Sequence, residues 1–273
     1  MIHEYFDFKE HRTDLIFKFF CITNKKTIDN IFINNLKDSI LTSFRSLEQY
    51  QILVEGRSEA EMKQYILDYV IPPASTNIDL IVRQGDWGEI FAGLMVTQFQ
   101  GLAIPINKLQ WKINKDKSVF GTDLIAFNQG DAIENIYYYE IKTRINSHKK
   151  EGKAPNYNYI SILAHNSLLK DQNAPNEMIA DFLARLFIDR KEYDTARKFN
   201  DIVKNPQNYN KKFELFFIVE QDNYTENIFE ELNSLPPQLD PLSVTVIIVK
   251  DLKALIDDTW SNIEERIFTV LNP

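Results

Sequence analysis

The sequence predicts an α/β protein whose core runs helix, three-strand antiparallel meander, helix, strand, with further α/β elements at both ends. Three observations carry that expectation. Residues 108–113 alternate apolar and polar side chains, and two more strand-like runs follow at 119–127 and 136–144 across short, turn-rich connections. Residues 213–220, FELFFIVE, are almost continuously apolar, as in a strand covered on both faces. Helical spacing of apolar residues fills the intervals, from 87–100 before the meander and from 158 to 203 after it.

Taken in order, residues 14–23 read as a strand rich in Phe and Ile. Residues 27–43 place Ile28, Ile31, Phe32, Leu36 and Ile40 on one helical face. Ser58 and Glu61 form a capping box that opens a helix, which must stop near Pro72-Pro73. Residues 1–80 therefore read as an N-terminal α/β appendage packed on a domain spanning 81–273. In that domain the 87–100 helix buries Ile90, Phe91, Leu94 and Met95. After the meander comes a basic loop at 145–157, then helices broken near Asn173-Ala174-Pro175. The strand at 213–220, a short helix at 225–233 and a strand at 243–249 favour parallel pairing, and a helix near 252–267 closes the chain.

Composition narrows the function. The chain has 273 residues and a formal net charge of −8. No apolar run reaches the roughly 18 residues of a membrane helix. The opening residues, MIHEYFDFKEHRTD, are not a secretory signal, so a cytoplasmic protein is expected. One cysteine, Cys21, excludes an internal disulfide and reads as a buried structural thiol. The four histidines lack metal-ligand spacing, and no phosphate-binding GxxxxGK[ST] segment is present. An acidic average argues against charge-driven nucleic-acid binding. Residues 105–155, however, hold nine basic and six acidic side chains, a local +3 that leaves −11 elsewhere. Six of the eight glycines (Gly85, Gly88, Gly93, Gly101, Gly121, Gly130) fall between positions 85 and 130, a stretch that overlaps this window. Gly85 and Gly88 are expected to flank the entry to the helix that carries Glu89, and Gly130 to serve the turn between the second and third meander strands.

The candidate chemistry lies in the meander. Period-two geometry puts Glu140 and Lys142 on one face of the third strand, with Ile141 opposite. Asp123 lies on the preceding strand and meets Glu140 if the register allows. Two carboxylates near a backbone carbonyl make a hard oxygen site suited to Mg²⁺ or Mn²⁺, and Glu89 could add a third oxygen. Such an ion with a lysine suits phosphodiester hydrolysis, through an activated water and a screened phosphate. Plainer readings stand beside these: Asp86 with Glu89 as a capping box, Asp123 as a turn cap, Glu140 with Lys142 as an exposed cross-strand pair. Of Tyr137, Tyr138 and Tyr139, only Tyr138 shares the Glu140 face and could stack on a base.

The segments Gly85-Asp86-Trp87-Gly88-Glu89, Pro105-Ile106-Asn107-Lys108-Leu109, Gly121-Thr122-Asp123 and Glu140-Ile141-Lys142-Thr143-Arg144 resemble the PD-(D/E)xK nuclease superfamily. More narrowly they resemble the HamA family, nuclease subunits of Hachiman anti-phage defence systems. The resemblance implies a restriction-endonuclease-like core and a metal-dependent DNA nuclease. It makes Asp123 and Glu140 metal ligands, Lys142 the catalytic lysine and Glu89 the acid of the first motif. It also implies a partner, a superfamily 2 helicase-like ATPase (HamB-type) subunit that restrains the nuclease until DNA is engaged. The usual proline before the first meander acid is absent, Thr122 standing in its place. Arg144, Lys149 and Lys150, from the basic stretch, are expected to guide the DNA backbone. A non-catalytic nuclease-fold binding module is the alternative.

Overall fold

The structure is a computed structural model that describes residues 2–12, 14–112, 115, 121–145, 157–225, 232–233 and 238–272. Its centre is a seven-stranded mixed sheet in the order β1-β2-β7-β6-β5-β4-β3. The strands are β1 (Phe6–Arg12), β2 (Lys18–Asn24), β3 (Leu102–Ala103), β4 (Leu124–Asn128), β5 (Asn135–Arg144), β6 (Asn210–Glu220) and β7 (Leu242–Val249). Strands β2, β7, β6 and β5 run parallel, while β1 and the β3-β4 pair lie antiparallel at the two edges.

Strand β6 shows why the sheet is covered on both faces. Phe213, Leu215, Phe217 and Val219 enter one core, and Phe216 and Ile218 enter the other. On the first of these faces lie α6 (Tyr157–Asn173), α7 (Asn176–Asp189) and α8 (Tyr193–Lys204), through Ala164, Leu168, Leu183 and Phe199. On the opposite face lie α2 (Asn30–Phe44), α5 (Asn77–Phe99) and the helix Leu252–Trp260, through Phe32, Leu36, Phe91 and Ile256; α1 (Ile2–Tyr5) precedes β1, and α3 (Leu47–Val54) and α4 (Glu59–Tyr65) lie between α2 and α5 in the chain. Of the strand expected at 14–23 the structure keeps β2, which starts at Lys18, and β1, which the sequence did not announce, pairs with it in a hairpin that extends the same sheet. Helix α2 buries Phe32, Leu36 and Ile40 as its spacing requires, whereas Ile31 stays 69% exposed. The Ser58–Glu61 capping box is present and opens a helix at Glu59.

Three expectations change. Helix α5 starts at Asn77, not near 87, because Thr76 and Asp79 form the capping box that opens it. Asp86 and Glu89 therefore sit in mid-helix and cap nothing, and Gly85 and Gly88 lie within the helix. The strand expected at 108–113 is instead a tight 3₁₀ turn, Lys108–Trp111. Its alternation finds no ladder, because β3 occupies the edge of β4. The meander survives with β3, β4 and β5 as its strands. Most of the helix expected at 225–233 lies outside the described residues.

Candidate active site

The register of β4 on β5 builds the site. Leu124 pairs with Tyr139 and Ile125 with Tyr138, so one further step sets Asp123 opposite Glu140. Asn128 helps to fix that register. Its carboxamide oxygen accepts from the amides of Glu134 and Asn135, both at 2.9 Å, and its nitrogen donates to Ala132 at 3.0 Å. The backbone amide of Ile141 donates to Asp123 Oδ2 at 2.8 Å, which locks the carboxylate against the strand. Neighbouring Thr122 is buried and hydrogen-bonds to Asp171 on α6.

Glu140 is buried, and Lys142 Nζ donates to its Oε1 at 2.5 Å. Period-two geometry puts both on the α6 face of the sheet. Burial pushes the Glu140 carboxyl up, and nearby Asp123 adds to this. Lys142 and the Ser167 hydroxyl of α6 oppose that shift. Tyr138 shares this face but is 4% exposed and stacks on Phe213 at 5.9 Å. It belongs to the core, so base stacking is not its role.

Glu89 approaches Asp123 from the other side. Helix α5 reaches β5 closely because residue 88 is glycine. A Cβ there would stand 2.0 Å from Thr143 Oγ1. Gln84 Nε2 of the same helix donates to the Thr143 carbonyl at 2.6 Å. Between Glu89 and Asp123 stands Lys108 Nζ, 3.7 Å from Glu89 Oε1 and 3.4 Å from Asp123 Oδ1. Those contacts are long, electrostatic more than directional. The Glu89 carboxyl is pushed up to about 8, first by burial. Asp123 and Asp86 add to the shift, while Lys108 and Lys112 oppose it. One turn earlier on α5, Asp86 takes Lys112 Nζ on both oxygens, at 2.6 and 2.7 Å, in a pair almost closed to solvent.

Acids and lysines thus alternate along this end of the molecule: Asp86 with Lys112, Glu89 and Asp123 with Lys108, Glu140 with Lys142. Sequence reading selected Glu89, Asp123, Glu140 and Lys142, and the fold brings Glu89 and Glu140 near Asp123 and pairs Lys142 with Glu140. It missed Lys108 and Lys112, which looked like the exposed side of a strand, and Ser167, which only tertiary packing brings in. Arg144 follows two residues after Lys142 on β5, and its buried Nε has no hydrogen-bond partner. Lys149 and Lys150 lie outside the described residues. Cys21 is half-buried on β2, not fully buried as expected.

A cleft of about 220 Å³ opens here, with Glu89, Asn107, Lys108 and Asp123 in its wall. Among the described residues, no three Asp, Glu, His or Cys side chains form a ready-made metal cluster. The donor chemistry still suits a hard divalent cation. Asp123 and Glu140 bring carboxylate oxygens from adjacent strands, and their mutual repulsion is of the kind a cation relieves. No helix among the described residues is long and apolar enough to cross a membrane.

No curated protein matches the chain. A family model described as HamA matches residues 2–266, all but a few residues at the two ends, and the chain belongs to the HamA family.

Proposed function

We propose that this chain is a metal-dependent DNA nuclease of the PD-(D/E)xK type, with a restriction-endonuclease-like core. Family membership points to Hachiman anti-phage defence. The observation that carries the enzymatic reading is the register that sets Asp123 opposite Glu140, with Lys142 on the Glu140 face. In this reading Asp123 and Glu140 hold Mg²⁺ or Mn²⁺, and Glu89 is the third acid. The bound ion would supply an activated water and screen the phosphate charge. Lys142 is exposed enough to leave Glu140 and place its ammonium against a phosphate oxygen as negative charge develops. Asp123 cannot turn freely, since the Ile141 amide holds one of its oxygens. Arg144, with Lys149 and Lys150, guides the DNA backbone toward this end of the sheet.

The acidic balance outside the 105–155 window disfavours solitary DNA binding and suits delivery by a partner. In this proposal the partner is a helicase-like ATPase of the HamB type. The test incubates the full chain, with and without that ATPase, with linear and circular DNA in Mg²⁺ or EDTA. Metal-dependent cleavage that disappears in Asp123→Asn supports the proposal. Absence of cleavage by the wild type, alone and with the partner, would favour a nuclease-fold binding module. The lysine paired to each acid is the feature that would favour such a module.

A further inference from the structure

The turn Lys108–Trp111 presents its first side chain to the site in an unusual way. Lys108 is 9% exposed, yet its ammonium ends between two carboxylates that come from separate elements, Glu89 on α5 and Asp123 before β4. The turn is itself anchored. Lys112, just after it, forms the closed pair with Asp86, and Gln110 Nε2 donates to the Thr42 carbonyl at 3.1 Å. Lys108 is therefore delivered by a fixed element, with its charge in the space between Glu89 and Asp123. A fixed positive charge there and a divalent cation on Asp123 compete for the same carboxylate.

We propose that Lys108 is an internal counter-ion of the nuclease site, which a divalent cation must displace from Asp123. It thereby sets the metal affinity and holds the protein in a metal-poor resting state. Lys108 lines the 220 Å³ cleft, which leaves room for the side chain to swing outward while the turn stays in place. Lys112, closed in with Asp86, does not move. The inference rests on the metal-dependent reading above, and its test separates the two.

The test measures Mn²⁺ binding to the full chain by electron paramagnetic resonance of the free ion. It compares wild type, Lys108→Gln, Lys108→Arg and Asp123→Asn. Lys108→Gln keeps a polar but shorter side chain and removes the charge, and should bind Mn²⁺ about tenfold more tightly or better. Lys108→Arg, which keeps the charge, should stay near wild type, and Asp123→Asn should abolish binding. A second arm needs no folded variant. In the wild type, acylation of Lys108 by an amine-reactive reagent, read by mass spectrometry, should rise when Mn²⁺ is added, with Lys112 protected throughout. Equal Mn²⁺ affinity in wild type and Lys108→Gln, with Asp123 still required, would overturn the counter-ion role and leave the metal site standing. Unchanged Lys108 reactivity on adding Mn²⁺ would overturn it equally. If no variant shows Mn²⁺ binding that depends on Asp123, the metal reading fails and the counter-ion role falls with it.

Discussion

Glu214 and Glu140 stand on neighbouring strands, β6 and β5, yet the protein balances their carboxyls differently. Glu214 faces the α5 side of the sheet and is 5% exposed. It is held by neutral groups: Gln100 Nε2 donates to both oxygens at 2.9 and 3.1 Å, and the Thr245 hydroxyl donates to Oε1. Tyr139 in turn donates to Gln100 Oε1 at 2.5 Å. Burial pushes Glu214 up to about 7. Glu140 faces the α6 side, bonds a lysine and repels a second acid. Burial favours the protonated form of Glu214, while the neutral Gln100 and Thr245 donors oppose that shift and tie the carboxyl to its neighbours. The ammonium groups of Lys142 and Lys108 oppose the upward shift of Glu140 and Glu89 beside a cleft, and a second cation on those acids would act in the same sense. The difference is one of partners: neutral donors for Glu214, a lysine and a second acid for Glu140.

The largest expected effect tests the charged region. Lys112→Met removes the ammonium from buried Asp86 and should cost about 3–5 kcal/mol, read as a lower urea midpoint. Adding Asp86→Leu should recover most of that loss. If Lys112→Met alone proves harmless, the pair is not closed and the contrast with Glu214 weakens.

The next effect concerns pH. A carboxyl raised on folding contributes stability that is complete below its unfolded value and is lost as pH rises through the folded one. For Glu214 that window runs from the ordinary carboxylate range to about 7. Glu214 alone should contribute on the order of 3 kcal/mol to the gain in stability as pH falls from about 8 to about 5. Glu214→Gln should lose much of that slope. Glu89 should retain a share of the same sign, since it is raised to about 8. A slope unchanged by Glu214→Gln would show that Glu214 does not hold its proton.

A smaller effect separates the two regions in space. Gly88→Ala forces α5 away from Thr143 and should cost about 1–3 kcal/mol in chemical unfolding. It also shifts Glu89 relative to Asp123, so DNA cleavage should fall by more than the stability loss accounts for. The Glu214 pH slope should be preserved.

How much of this was legible in sequence depends on the range of the interaction. FELFFIVE announced a strand buried on both faces, and alternation alone put Glu140 and Lys142 together. The Ser58–Glu61 box was equally local. The Asp123–Glu140 register was not legible, since it depends on how Asn128 closes the loop to β5. Residues 108–112 misled because their alternation fits a strand, while the same residues in a 3₁₀ turn send Lys108 and Lys112 back onto α5. Tyr138 looked available because its face carried polar neighbours, and only the packing of Phe213 shows it closed. Glu214 gave no signal at all, because its partners come from 114 and 31 residues away.

The most direct measurement is the rate of DNA cleavage by the full chain with the proposed ATPase partner, in Mg²⁺ and in EDTA, for wild type, Glu140→Ala and Lys142→Ala. The account predicts cleavage by wild type in Mg²⁺, none in EDTA, and a loss of about 10²–10³-fold or more in each variant. Mg²⁺-dependent cleavage that survives both substitutions would contradict the assignment of this site.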